Sequence, residues 1–216
     1  MTDPKDLATR RFLKTIAGGA VALAASPLLA QQRSAEFRAV NPPQPTDAPG
    51  RIEVLEFFWY GCPHCNSLEP MLKDWAAKLP ADVAFRKIHV GLGPSWVPHQ
   101  QLFYTLESMG KADSLGPVVF NAIHVERNML SRPEAMADLL AKHGVDRKQF
   151  TDTYQSFAVR TRMRKASAVA EAYGLDGVPA FGVNGKWFTS PSMAGGNAQA
   201  LRVLEQLIER ERKGAR

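Results

Sequence analysis

Leu55-Glu56-Phe57-Phe58-Trp59-Tyr60-Gly61-Cys62-Pro63-His64-Cys65 is the stretch on which the fold turns. Ile52, Val54, Leu55, Phe57, Phe58, Trp59 and Tyr60 make Arg51–Tyr60 an almost continuous apolar run. That is the pattern of a strand buried on both faces, with its aromatics read as core. Gly61 breaks the run. A helical pattern follows, with Leu68, Met71, Leu72, Trp75 and Leu79 as its apolar face. Pro70 lies inside it, where a proline kinks a helix. Both cysteines of the chain therefore fall where a strand turns into a helix.

A disulfide between two thiols this close closes a tiny loop and restricts little of the unfolded chain, so it makes a poor staple. As chemistry the pair is well placed. Amide N–H groups without partners and the helix dipole favour a thiolate at a helix N-terminus. Cys62, first in the turn, is expected to be the more exposed nucleophile, and Cys65, one turn in, the shielded resolving thiol. Pro63 and His64 lie between them, and His64 can stabilise the Cys62 thiolate by charge or hydrogen bonding. Glu56, six residues before Cys62 among apolar neighbours, is either a buried carboxylate that shuttles protons or one that points to solvent. A zinc site would need two further ligands. His89, His99, His124 and His143 are scattered over different elements with no close pair among them, so no metal is expected.

Outward from this stretch, Val83, Phe85 and Ile88 form a second strand, which gives a βαβ unit. Between Pro94 and Tyr173 the pattern turns helical. Leu102, Phe103, Leu106 and Met109 share a face. Ser131-Arg132-Pro133-Glu134 reads as a capping box leading to Ala135, Met136, Leu139 and Leu140. Asp146 caps a helix carrying Phe150, Tyr154 and Phe157, and Gly144 and Gly174 act as stops. Arg160, Arg162, Arg164 and Lys165 read as a solvated face. Gly177-Val178-Pro179 precedes a hairpin of Ala180–Val183, the turn Asn184-Gly185 and Lys186–Thr189, and a proline at that place suits either a cis bond facing the thiols or an ordinary turn before the strand. Ser192–Gly196 reads as a loop, and Asn197 as the cap of a last helix with Ala200, Leu201, Leu204, Leu207 and Ile208 inward. The fold class is α/β, a central mixed β-sheet flanked by helices with an all-helical block inserted.

The 216 residues hold 45% apolar and 22% charged side chains, which excludes a disordered tail, a collagen-like fibre and a disulfide-dense mini-protein. Residues 1–30 read as an export signal: Arg10, Arg11 and Lys14 precede the uncharged run Ile16–Ala30, too short to span a bilayer comfortably. Thr9-Arg10-Arg11-Phe12-Leu13-Lys14 resembles a twin-arginine signal without its spacer residue, so Sec and Tat export both stay open. Cleavage removes four basic and two acidic residues, which lowers the formal net charge from +6 to +4 over 186 residues. No basic stripe with interleaved aromatics appears, so no nucleic-acid partner is expected. Residues 31–50, with four prolines, read as a leader with a short edge strand near Phe37–Val40.

The stretch from Leu55 to Cys65, with Cys-Pro-His-Cys between its ends, resembles the active-site segment of the DsbA family of periplasmic thiol:disulfide oxidoreductases. Val178-Pro179 matches the family's Val–cis-Pro, Phe181–Lys186 matches the hairpin after it, and Glu56 and Glu69 match acidic positions flanking the active site. Pro70 is more like the kink proline of thioredoxins. The resemblance implies a thioredoxin-like fold, with residues 51–93 and 174–216 as its two halves and 94–173 as the helical insertion. It implies a monomeric disulfide oxidase needing no cofactor beyond a Cys62–Cys65 disulfide. Catalysis would fall to Cys62, Cys65, His64, Pro63 and Glu56, and substrate binding to Val178 and Pro179. Its partners would be reduced, unfolded exported proteins and an inner-membrane, quinone-linked, DsbB-like reoxidase. The alternatives are an isomerase or reductase of the same fold, and a non-enzymatic peptide-binding chaperone or metal carrier.

Overall fold

The computed structural model describes residues 35–214, so the expected export signal lies outside the described residues. Among these, five strands form one mixed sheet in the order β1-β5-β4-β2-β3. They are β1 (Arg38–Ala39), β2 (Ile52–Phe58), β3 (Val83–His89), β4 (Ala180–Val183) and β5 (Trp187–Thr189). β2 sits near the centre, parallel to β3 and antiparallel to β4. Six of its seven residues are buried, as the unbroken apolar run requires. Its register sets Phe58 opposite His89 and Phe57 opposite Ala180. Pro179 therefore lies beside the end of β2, where the chain turns toward the cysteines.

α1 (Pro63–Ala76) follows that turn with Pro63 in its first turn, where a proline's missing N–H costs nothing. It continues through Pro70 and buries Cys65, Leu68, Leu72 and Trp75. Met71 departs from the expected apolar face: it is 44% exposed, because the buried stripe passes along its neighbours Leu68 and Leu72. Between β3 and β4 come a short 3-10 turn (Pro94–Trp96) and then α2 (Val97–Ser108), α3 (Ala112–His124), α4 (Pro133–Ala141), α5 (Arg147–Tyr154) and α6 (Phe157–Ala172). The basic run on α6 is exposed; Arg162 pairs with Glu107 and Lys165 with Asp47.

The sheet separates two apolar clusters. One packs Val54, Phe181 and Val183 against Leu68 and Leu72 of α1 and against Leu204 and Leu207 of the last helix. The other packs Leu55, Phe57 and Phe58 against Phe103, Phe120, Met136, Phe150 and Val159 from the inserted helices. The β4–β5 turn has Asn184 at φ 51° and Gly185 at φ 70°, both left-handed, as the Asn-Gly signal requires. A Cβ on Gly185 would also lie 1.9 Å from the Gln44 carbonyl oxygen of the leader.

Three terminus readings are corrected. Ser131 does not cap α4: its cap position is Arg132, at φ −126° and ψ 143°, with no side-chain bond. A residue before proline is pushed into extended backbone, so Pro133 as first helical residue makes Arg132 the cap. Ser192–Gly196 is not all loop: Pro191–Ala194 forms a single-turn helix α7, capped by Ser190 and ended by Gly195 at φ 87°. Asn197 is the first residue of α8 (Asn197–Gly214) rather than its cap, and the Gly196 carbonyl accepts from Ala200 N–H. No helix among the described residues is long and apolar enough to cross a membrane.

Candidate active site

Cys62 is the N-cap of α1, in extended conformation at φ −84° and ψ 118°. Its Sγ accepts from Cys65 N–H at 3.4 Å and donates to the Val178 carbonyl at 3.4 Å. Its own N–H donates to the Trp59 carbonyl at 3.0 Å. Both cysteines are free thiols. Cys62 is 6% exposed and Cys65 fully enclosed. The hydrogen bond from the Cys65 thiol is the main cause that pulls Cys62 down to about 6, against its burial. Backbone bonds from Cys65 and His64 and the charge of the exposed His64 add to the pull. Cys65 moves strongly upward, because it is buried and faces the Cys62 sulfur. One helix turn thus makes two chemically unlike thiols: a thiolate that attacks and leaves easily, and a partner that keeps its proton. Pro63 is exposed and completes the turn.

The peptide bond Val178–Pro179 is cis, and the Val178 carbonyl meets the Cys62 sulfur. Glu56 points inward rather than to solvent. It is fully enclosed and neither carboxyl oxygen has a hydrogen-bond partner. Lys87 Nζ lies 3.6 Å from Oε2, while both Glu69 oxygens hold the same ammonium at 2.5 and 2.6 Å. Burial pushes Glu56 up to about 7, with Lys87 opposing and Glu69 adding to the rise. A cavity of about 560 Å³ between α1, β3 and α2–α3 is lined by Glu69, Lys87, Lys73 and Tyr60, but by neither cysteine. Glu69 and Lys87 thus connect Glu56 toward that cavity.

The histidines are not scattered in space. His89 Nε2 accepts from Tyr60 N–H at 3.2 Å, and His124 Nε2 donates to the Tyr60 carbonyl at 2.8 Å. His99 Nδ1 accepts from the Trp59 indole N–H at 3.0 Å. Three side chains from β3, α2 and α3 therefore grip the two residues that link β2 to the cysteine turn. A signal for His99 exists in the sequence: it stands one helical turn from Leu102 and Phe103, on the face they share with Leu106. His143 is exposed. Among the described residues no group of three or more His, Cys, Asp or Glu side chains gathers around a metal-sized site.

Residues 53–209 match the family model described as a DSBA-like thioredoxin domain. The chain belongs to the DsbA family. It is 46% identical to the thiol:disulfide interchange protein DsbA of Bordetella parapertussis over 199 residues, 90% of this chain and 95% of that one. It superposes on the crystal structure of Pseudomonas aeruginosa DsbA with a TM-score of 0.81 at 46% identity, covering 84% of this chain and 94% of that one. The oxidoreductase DsbA of Xylella fastidiosa matches with a TM-score of 0.78 at 27% identity over 82% and 96% of the two chains. This DsbA-family chain is a thiol:disulfide oxidoreductase of thioredoxin-like α/β fold, and its family works through a redox-active disulfide.

Proposed function

We propose that the chain is an exported, periplasmic dithiol oxidase that introduces disulfides into other exported proteins. The observation that carries this is the asymmetry of the pair: Cys62 at the helix start with its thiolate favoured, Cys65 enclosed with its thiol favoured. A client thiolate attacks Cys62 Sγ of the Cys62–Cys65 disulfide. The S–S bond breaks, a mixed disulfide forms, and Cys65 leaves and takes up a proton. A second client thiolate then attacks the client sulfur of the mixed disulfide. The client leaves with its new disulfide and Cys62 departs as a thiolate. Two electrons have passed from client to protein. Whatever favours the Cys62 thiolate favours the reduced protein, and so makes the disulfide a stronger oxidant.

In this scheme His64 and Pro63 tune the Cys62 thiolate, and Glu56, poised near neutrality, supplies the proton that Cys65 takes. Val178 and Pro179 hold the client backbone as an added strand, a common mode of peptide capture. Residues 51–93 and 174–216 act as the two halves of the thioredoxin-like domain, with 94–173 inserted between them and 1–30 removed on export. The clients are reduced, unfolded exported proteins, an inner-membrane, quinone-linked, DsbB-like enzyme restores the disulfide, and the protein works as a monomer. Family membership supports these partners and this compartment.

Equilibration of the Cys62–Cys65 pair with glutathione tests the reading. An oxidising pair that transfers its disulfide to a reduced peptide, with transfer abolished in Cys62→Ser, is the expected result. A potential as reducing as that of a thioredoxin, or full activity in Cys62→Ser, overturns it.

A further inference from the structure

We propose that His99 is a positioning residue for disulfide exchange, acting on the Cys62 turn through Trp59; this rests on the oxidase reading above. Trp59 lies just past the end of β2 and is only half-buried, packed against the core on one side without being enclosed by it. Its indole is held from two sides. Trp96 stacks on it with centroids 4.2 Å apart and planes within 5°. His99, 2% exposed, takes the indole N–H on Nδ1 at 3.0 Å. An accepting Nδ1 puts the proton of the neutral ring on Nε2, which donates to the Met129 carbonyl at 2.7 Å. Both ring nitrogens are thereby satisfied, and the ring is locked in one tautomer and one orientation. A second bond that fixes which nitrogen accepts is the device by which a histidine becomes a rigid ligand rather than a filler.

The indole so held rests on the backbone before Cys62. A Cβ on Gly61 would lie 2.3 Å from the Trp59 ring, so only glycine lets the ring close on that peptide. The carbonyl of the same Trp59 takes the Cys62 N–H at 3.0 Å. Movement of the indole would therefore move residues 59–62 against α1 and against Val178. The Cys62 thiolate is held by Cys65 N–H at 3.4 Å, whereas the Val178 carbonyl at 3.4 Å can accept only from the protonated thiol. Charge-assisted hydrogen bonds weaken steeply beyond such distances, so a small displacement of the turn reduces the stabilisation of the thiolate.

The test uses the full chain as wild type, His99→Leu, His99→Asn, Trp59→Phe and the double variant His99→Leu/Trp59→Phe. Three quantities are read: Cys62 thiolate absorbance against pH, the glutathione equilibrium, and KM for a reduced peptide. His99→Leu and Trp59→Phe are each expected to raise the Cys62 pKa by about half a unit to one unit, a roughly three- to tenfold loss of thiolate stabilisation. The glutathione equilibrium should shift by the same factor, and the peptide KM should stay. The double variant should match Trp59→Phe alone, because His99 acts only through the indole. His99→Asn, whose side-chain oxygen replaces the accepting Nδ1, should restore most of the effect.

A thiolate titration unmoved in His99→Leu, with only the melting temperature lowered, makes the residue merely structural and overturns the proposal. So do additive losses in the double variant, or a raised peptide KM with an unmoved thiolate. If His99→Leu does not fold, Trp59→Phe and His99→Asn decide alone: the first must raise the pKa and the second must not. An ordinary thiol pKa in the wild type would sink the oxidase reading itself. A low wild-type pKa that no variant moves would sink only the role of His99.

Discussion

Glu56 sits where its surroundings do not accommodate a charge. Both its oxygens lie in the interior without a hydrogen bond, and Lys87 is committed to Glu69. A buried carboxyl in that state keeps its proton to about 7. Since 4.5 is the ordinary value, the native state binds one proton more than the unfolded chain between these limits. Stability therefore falls as pH rises through that window, by roughly 3 kcal/mol when the shift is converted at 1.36 kcal/mol per unit. Glu56→Gln should accordingly stabilise the reduced protein by on the order of 2–3 kcal/mol at about pH 8 and leave it unchanged near pH 4.5. Urea unfolding at the two pH values checks this, and an equal gain at both would remove Glu56 titration from the account. Cys62, Cys65 and Pro179 were legible as residues because each breaks a local pattern. His99 was not, because its partner lies 40 positions away and no local rule joins an imidazole on α2 to an indole after β2. What the sequence did hold was the helical spacing that places His99 on the buried face with Leu102, Phe103 and Leu106.

At the scale of elements, signals that depend on backbone alone were read well, and those that depend on one residue's position in a turn were not. The Asn184-Gly185 hairpin was legible because its turn needs two left-handed residues in succession. The start of α4 was misread because serine and proline compete there. The serine suits a cap, but the proline fixes the residue before itself as the cap, one place too late for Ser131. Asp146 shows the unopposed case: its Oδ1 accepts from Gln149 N–H at 2.7 Å and closes the first turn of α5. The two positions therefore part company under substitution. Asp146→Ala should cost about 1 kcal/mol of folding free energy, and Ser131→Ala less than about 0.3 kcal/mol. Equal losses in denaturant unfolding would mean that Ser131 serves the helix after all. Insertion of the five helices between β3 and β4 was legible from the change of period. Which of their polar residues turn inward was settled only by packing against β2 and β3.

Over the whole molecule, β4 joins two sites with separate tasks. At one end Ala180 pairs with Phe57 and brings Pro179 to the thiols. At the other, Val183 leads into the hairpin turn, which α8 holds shut. Glu211 of α8, 8% exposed, accepts from Asn184 Nδ2 at 2.6 Å, Lys186 Nζ at 2.7 Å and Trp187 Nε1 at 2.8 Å. Burial works against its ionised form, but these three donors together hold its carboxyl below the usual range. A depressed carboxyl gives stability that is present above its unfolded value, about 4.5, and that is lost as pH falls. Glu211→Ala leaves an indole N–H and an ammonium without their acceptor, and should cost roughly 2–3 kcal/mol at neutral pH. That penalty should shrink below about pH 4.5, opposite in sense to the effect of Glu56. Because the latch and the thiols sit at opposite ends of β4, the Cys62 titration and the glutathione equilibrium should stay at their wild-type values. Unfolding curves at neutral and acid pH, read beside the thiolate titration of the same variant, separate the two tasks. A shifted thiolate pKa in Glu211→Ala would mean that the sheet transmits strain from the latch to the active site, and that the two ends are not independent.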